Sequence, residues 1–332
     1  MQSSREGNML DEKNKSRLYK SLVVIVFMIV LIGSMLLLSF VFTPTNNYPD
    51  AGIIDWNVKA ILAEPQNSID AIFLGNSEGY YAFTPLKIWE EQGITTYNCS
   101  SKGNPVNISE SYLHLAFEKQ TPKVVFFETD SIYKKPLVIW QLFSSRIVET
   151  FSVMSYHNRW KDMDASEIGK EKNYTYQDDF KGYFMDKATV AADPATNMNP
   201  TDKSKHIFYR NRQYIIRMKE YCEERGAKFV LVSTPTTKNW NMKKHNGMAE
   251  FAQSAGIEYI DMNFMYDALH IDWNTDSRDG GDHLNVTGAD KICSYLGKYL
   301  ANTGLFTDKR TDAQYSKWNE NLEKYNNAKN PS

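Results

Sequence analysis

Cysteine is scarce and neither sign of charge is in excess, and each shortage removes a class of function. Cys99, Cys222 and Cys293 stand far apart, with no Cys-x-x-Cys pair and no Cys/His cluster, so neither a disulfide framework nor a zinc site is written here. Cys222 and Cys293 fall in stretches with helical spacing, where cysteine reads as a small buried hydrophobe. The formal net charge of the 332 residues is −2, which gives no basis for a nucleic-acid partner. No internal repeat occurs, and no cofactor or resident metal is expected. Asp272-Trp273-Asn274-Thr275-Asp276 begins like a calcium loop, but that loop requires glycine at 277 and glutamate at 283. The chain has Ser277 and His283 there.

Long apolar runs are also few, and one of them dominates. Ser21 to Phe42 is uncharged and rich in Val, Ile, Leu, Met and Phe. At about 1.5 Å per residue it covers the roughly 30 Å hydrocarbon layer of a bilayer. A signal-peptide core is shorter, about 7–15 residues, and ends at small residues; here the exit is Phe40-Val41-Phe42-Thr43-Pro44. A retained signal anchor is expected. Arg5, Lys13, Lys15, Arg17 and Lys20 precede the span, while the first charge after it is Asp50. The positive-inside rule then places residues 1–20 in the cytosol and everything past the span outside, in a single-pass cell-membrane protein.

Residues 43–68 read as a linker with one short amphipathic piece. From 69 onward strand and helix signals alternate: strands at Ile69–Leu74, Ile94–Tyr97, Lys123–Glu128, Ala227–Ser233 and Ile257–Asp261, helices at Gly79–Gln92, Ser109–Lys119, His206–Arg225, Met242–Ala255 and Thr287–Leu300. The third strand is nearly all apolar, as a parallel strand covered on both faces should be. Alternation over 69–302 predicts an α/β domain with a parallel sheet and helices on both faces. Residues 131–205 break the rhythm. They carry Tyr133, Trp140, Tyr156, Trp160, Tyr174, Tyr176 and Tyr183 and are read as an insertion or cap, its rings packing it to the sheet rather than forming a sugar platform. Residues 303–332 read as a polar, weakly ordered tail.

Two short segments carry the chemistry. Gly75-Asn76-Ser77 puts a serine just past the carboxyl end of the first strand, where ligands bind in such sheets. Such a serine can simply cap the next helix. It can also be a nucleophile, provided a base takes its proton and an acid orients the base. Arg278-Asp279-Gly280-Gly281-Asp282-His283-Leu284-Asn285 offers both in a polar loop just ahead of the last helix. A surface or core histidine is the plainer reading, but the other five histidines lack such a loop. Asp279 and Asp282 both remain candidates for the orienting acid. Adjacent side chains in an extended loop point apart, which disfavours Asp282, and a turn can undo that argument.

These blocks resemble the SGNH (GDSL-like) hydrolases and acyltransferases, especially membrane-anchored members that acylate cell-surface polysaccharides. Gly75-Asn76-Ser77 looks like the nucleophile block, Asn98-Cys99-Ser100-Ser101-Lys102-Gly103-Asn104 like the second, and Asp282-His283-Leu284-Asn285 with Gly288 like the last. The resemblance spans about 69–302 and implies a three-layer, flavodoxin-like sheet. It makes Ser77 the nucleophile and His283 the base, with Gly103 giving an oxyanion amide and Asn76 lying at the substrate side. Two departures stand out. The third block commonly ends in an oxyanion asparagine, but here the strand ends Phe127-Glu128-Thr129-Asp130, leaving Thr129 or a backbone amide. The last block is usually Asp-x-x-His, and position 280 is glycine.

The expected function is extracytoplasmic, serine-dependent transfer of an acyl group, acetyl by resemblance, to a cell-surface glycan. Resemblance also implies an acyl donor and a multi-span acyl exporter as partners. The rivals are a carbohydrate esterase of the same fold and a non-catalytic glycan-binding scaffold, which the missing asparagine favours.

Overall fold

The computed structural model describes residues 2–136, 150–161, 163–193 and 197–330. Trp140 lies outside them. The chain divides into two compact units, one of residues 1–46, 50–53 and 137–173, the other of 47–49, 54–136 and 174–332.

In the first unit, helix α1 (Gln2–Phe42) contains the apolar span. Its stretch Asn14–Phe42 has a mean hydropathy of 3.0 in its most apolar window, and none of that window is buried against protein. Leu22, Phe27, Ile29 and Leu37 all stand exposed, so the helix is long and apolar enough to cross a bilayer and has no protein core of its own. Its end is tied down by the Val153 amide on Ser39 Oγ (3.1 Å) and by Arg159 on the Phe42 carbonyl (2.7 Å).

The second unit holds five parallel strands, β1 (Ala71–Leu74), β2 (Thr96–Asn98), β3 (Val124–Glu128), β4 (Lys228–Ser233) and β5 (Glu258–Asp261), in the order β2-β1-β3-β4-β5. This is the doubly wound order whose switch point lies between β1 and β3. The register sets Ala71 beside Val124 and Val124 beside Lys228. The two-residue alternation of a strand sorts the sheet's side chains into two cores. Ile72, Leu74, Val125, Phe127, Phe229 and Leu231 pack under α4 (Val106–Phe117), α5 (Tyr209–Glu223) and α6 (Met242–Ala255). Ala71, Phe73, Val124, Phe126, Val230 and Val232 pack with Ile88 of α3 (Pro85–Gln92) and with Ile292, Leu296 and Leu300 of α7 (Val286–Asn302). Helices on both faces of a parallel sheet are therefore observed as expected.

Three expectations are corrected. The helix expected over Gly79–Gln92 is two, α2 (Ser77–Ala82) and α3, because Pro85 has no amide to continue the ladder and suits a first turn. The linker is not a tether throughout: Val58, Ala60 and Ile61 lie in short helical turns with no exposure and join the core. The tail ends in α8 (Ser316–Lys329), which buries Trp318 and Tyr325 and receives a hydrogen bond from Trp89 on Asn319 (3.0 Å). Residues 174–193 of the insertion form a strap on the sheet's edge. The Asn98 amide of β2 donates to the Lys181 carbonyl (2.9 Å), and a Cβ at Gly182 would lie 2.0 Å from the Asn98 carbonyl oxygen. Tyr183 packs into the core, whereas Trp160 of the first unit stands exposed.

Candidate active site

The turn after β1 is held from below and capped from within. A Cβ at Gly75 would come 2.7 Å from Glu128 Cβ, so β1 and β3 approach this closely only with glycine here. Asn76 is fully buried. Its Oδ1 accepts from the Glu78 amide (3.0 Å), and its Nδ2 donates to Asp130 Oδ2 (2.9 Å). Asn76, not Ser77, is thus the cap of α2. Both ends of its side chain are committed, which removes it as a substrate-binding group. Ser77 takes the first helical position, where the amide has no intrahelical acceptor. Among the described residues no hydrogen bond engages its hydroxyl.

The base comes from a tight loop ahead of α7. A bridge between Ser277 and Leu284 closes it, and Gly280 (φ +76°) and Gly281 (φ +92°) turn it back. At Gly281 a Cβ would also strike Thr237 Oγ1 at 1.9 Å. This reversal carries Asp279 to the imidazole although it is four residues away. Asp279 Oδ1 accepts from the His283 amide (2.8 Å) and Oδ2 lies 2.7 Å from His283 Nδ1, against 3.8 Å for Asp282. Of the two candidate acids, Asp279 is therefore the one that holds the ring. Partial burial pushes its carboxyl up, but the hydrogen bonds from His283 and the Arg278 charge outweigh that and hold it below the usual range. With Nδ1 on a carboxylate, the other nitrogen is the basic one. His283 Nε2 is buried and, among the described residues, has no hydrogen-bond partner. The ring lies 5.1 Å from that of Tyr81, whose face carries the Arg278 guanidinium at 4.2 Å.

A cluster of acids beneath Ser77 escaped the sequence reading. Glu78, Glu128 and Asp130 are buried, and Asp282 lies alongside. Asp130 receives Lys244 (3.0 Å) and Asn76; despite burial, these partners and Lys134 keep its carboxyl low. Burial first, and the Asp130 charge second, push Glu128 up to about 8. Burial, then the charges of Glu128 and Asp130, push Glu78 well above the ordinary range despite a hydrogen bond from Asn239 (2.6 Å). Like charges this close cannot all ionise. The upward shift of Glu78 disfavours a negative charge one residue from Ser77. The signal in the sequence was positional only: Glu128 and Asp130 end the third strand at the same sheet edge as Ser77. Asn239 and Lys244 sit in a loop and helix start with no motif.

A ring nitrogen of His283 and one oxygen each of Glu78 and Asp282 lie within 4.8 Å of one another. The spacing could take a cation, but Asn239 donates to both carboxyl groups and burial raises the Glu78 carboxyl, disfavouring its ionised form. These are poor features for a metal ligand. In the loop at 272–276, Asp276 is ion-paired with Lys291 (2.6 Å). The arrangement does bring the His283 loop to the helix that Ser77 begins.

The remaining oxyanion candidates differ. Gly103 sits in an exposed turn at φ +72° with nothing within 4 Å of its Cβ position, leaving open space beside it. Thr129 is corrected: Tyr259 donates to Asp261 and Ser233 bonds Tyr259, so the Thr129 hydroxyl gives its proton to Ser233 (2.5 Å).

No protein-family model and no curated protein matches the chain. Solved structures align with it over most of their length. A GDSL-like lipase from Bacteroides thetaiotaomicron is 10% identical, with 73% of this chain and 94% of that one covered and a TM-score of 0.38. A lipase/acylhydrolase from Enterococcus faecalis is 11% identical over 71% and 97%, with a TM-score of 0.37. An acetyl xylan esterase is 11% identical over 70% and 99%, with a TM-score of 0.36. Likeness this distant assigns no activity, which has to come from the residues themselves.

Proposed function

We propose that the chain is an SGNH-type, ester-acting enzyme that transfers an acyl group from a donor to a cell-surface glycan on the outer side of a membrane. Ser77 Oγ attacks the acyl carbonyl as His283 Nε2 takes its proton, and the ionised Asp279 stabilises the imidazolium. The Ser77 amide, joined by that of Gly103, receives the oxyanion. Collapse expels the donor's alcohol, which takes the proton back from His283. A sugar hydroxyl then gives its proton to the same nitrogen, attacks the acyl-enzyme and leaves as an ester, restoring Ser77. The apolar helix α1 keeps this chemistry near a membrane-delivered substrate.

One observation carries the reading: Asp279 lies 2.7 Å from His283 Nδ1 while Nε2 is buried and, among the described residues, unpartnered, in a loop whose imidazole approaches Glu78 of α2. Hydrogen bonds to a nucleophile often tighten only when substrate is bound. A serine-directed fluorophosphonate should label the wild type and not Ser77→Ala. Absence of label on both favours the glycan-binding scaffold. Supplying an activated acetyl ester with and without oligosaccharide separates the chemistries: acetylated sugar marks transfer, and free acetate alone marks an esterase. Retention of the intact N-terminus in carbonate-washed membranes checks the anchor.

A further inference from the structure

Helix α2 presents Tyr80 and Tyr81 to the turn that follows β2. Lys102 in that turn is exposed, and its ammonium lies 5.3 Å from the Tyr80 ring centre, 5.2 Å from Tyr81 and 4.7 Å from Phe184 of the strap. Among the described residues no carboxylate pairs with it and no acceptor takes its protons. Ring faces attract a cation through their quadrupole and leave its N–H donors unused. The lysine is therefore held in place with its hydrogen-bonding capacity intact. The second cation on Tyr81 differs: Arg278 is matched by Asp186 (2.7 Å) and Asp279 (3.3 Å). The Tyr80 and Phe184 rings are stacked at 5.3 Å and 19°, and Phe184 is 41% exposed, so a flat apolar face adjoins the free ammonium. Tyr81 links this shelf to the His283 ring.

We propose that Lys102, seated on Tyr80, Tyr81 and Phe184, is a specificity-determining subsite for an anionic group, phosphate or carboxylate, carried by a sugar of the acceptor. The inference rests on reading Ser77 and His283 as a glycan-directed site. A sugar face covers the stacked rings while its anion takes the lysine's three donors. A cationic ligand meets the like charge of the Lys102 ammonium.

The test reads binding, not turnover, on full-length Ser77→Ala protein in detergent micelles. The probes are polygalacturonate for the carboxylate, a poly(glycerol phosphate) for the phosphate, and neutral xylan of similar length. One of the anionic polymers should bind at least tenfold tighter than xylan, lose affinity with added salt, and show which anion is recognised. Lys102→Gln should weaken that binding roughly tenfold or more, and Lys102→Arg should restore most of it. Phe184→Ala should weaken binding of every polymer. Equal affinity for xylan, unchanged binding by Lys102→Gln, or tighter binding of choline than of either anion overturns the proposal. Fluorophosphonate labelling is read separately on the wild type, so failure of the catalytic reading and failure of the subsite give different results.

Discussion

His283 Nδ1 lies 2.7 Å from Asp279 Oδ2, whereas the Asp282 carboxylate next to it in sequence stays 3.8 Å away and is tied to Asn239. An orienting acid works by fixing the tautomer that leaves the other nitrogen basic. Asp279→Asn should therefore lower kcat/KM for a small acetyl ester by on the order of 10²–10⁴, with a parallel fall in the rate of fluorophosphonate labelling. Asp282→Asn should cost less than about tenfold, since no hydrogen bond to the ring is lost. The reverse ranking would return the orienting role to Asp282.

Asn76 joins the cap of α2 to the buried Asp130. Removing the cap costs about 1 kcal/mol, and taking a donor from a buried carboxylate adds about 1–3 kcal/mol. Asn76→Ala should shift the urea midpoint accordingly, and Asn76→Ser, which keeps a capping oxygen but cannot reach as far, should recover only the first part. Full recovery by serine would mean that the bond to Asp130 contributes nothing.

The strands and main helices were legible because each is a short apolar run or a periodic stretch bounded by turn residues. Ile69 and Asp70 read as strand although β1 begins at Ala71, since nothing local marks where pairing starts. Ser77 and His283 could be singled out as candidates because one follows the first strand in a tight turn and the other stands in a dense polar loop ahead of a helix. The choice between Asp279 and Asp282 was not, because it depends on two glycines at positive φ reversing the loop. Thr129 misled because a threonine in the asparagine's place says nothing of where its proton goes; Ser233 and Tyr259, far off in sequence, decide that. The ordered tail escaped notice because its few large apolar residues, Trp318, Leu322 and Tyr325, are diluted by Asn, Lys and Glu.

Glu128 gives the stability a pH dependence of definite sign. Its carboxyl ionises near 4.5 when unfolded and is pushed up to about 8 by burial and by Asp130. The folded state therefore holds a proton that the unfolded chain has lost across that window. The contribution is present in full below about pH 4.5, declines as pH rises, and is gone above about pH 8. Glu78, also shifted upward, acts in the same direction. Wild-type unfolding free energy should fall between pH 5 and pH 8, and Glu128→Gln should reduce that slope. Equal slopes in the two proteins, measured by denaturant melts across the range, would sink the assignment.

Lys181 and Glu64 form an ion pair of 2.8 Å in which both side chains are shielded from solvent, with the ammonium 4.9 Å from the Trp318 ring centre. Here the strap, the segment before β1 and α8 meet, so the pair bears on three elements whose order the sequence did not reveal. Burial pushes the Glu64 carboxyl up even against the pull of Lys181. Lys181→Met removes that pull and leaves a buried carboxylate that must either stay charged without a partner or take up a proton. Breaking such a pair from one side typically costs about 3–5 kcal/mol, and proton uptake makes the loss smaller at acid pH than at neutral pH. Replacing both, as Lys181→Met with Glu64→Leu, removes the stranded charge and should recover most of the loss. A double-mutant cycle from denaturant melts at pH 5 and pH 8 reads this directly. Additive single effects at both pH values would show that the two charges are not coupled.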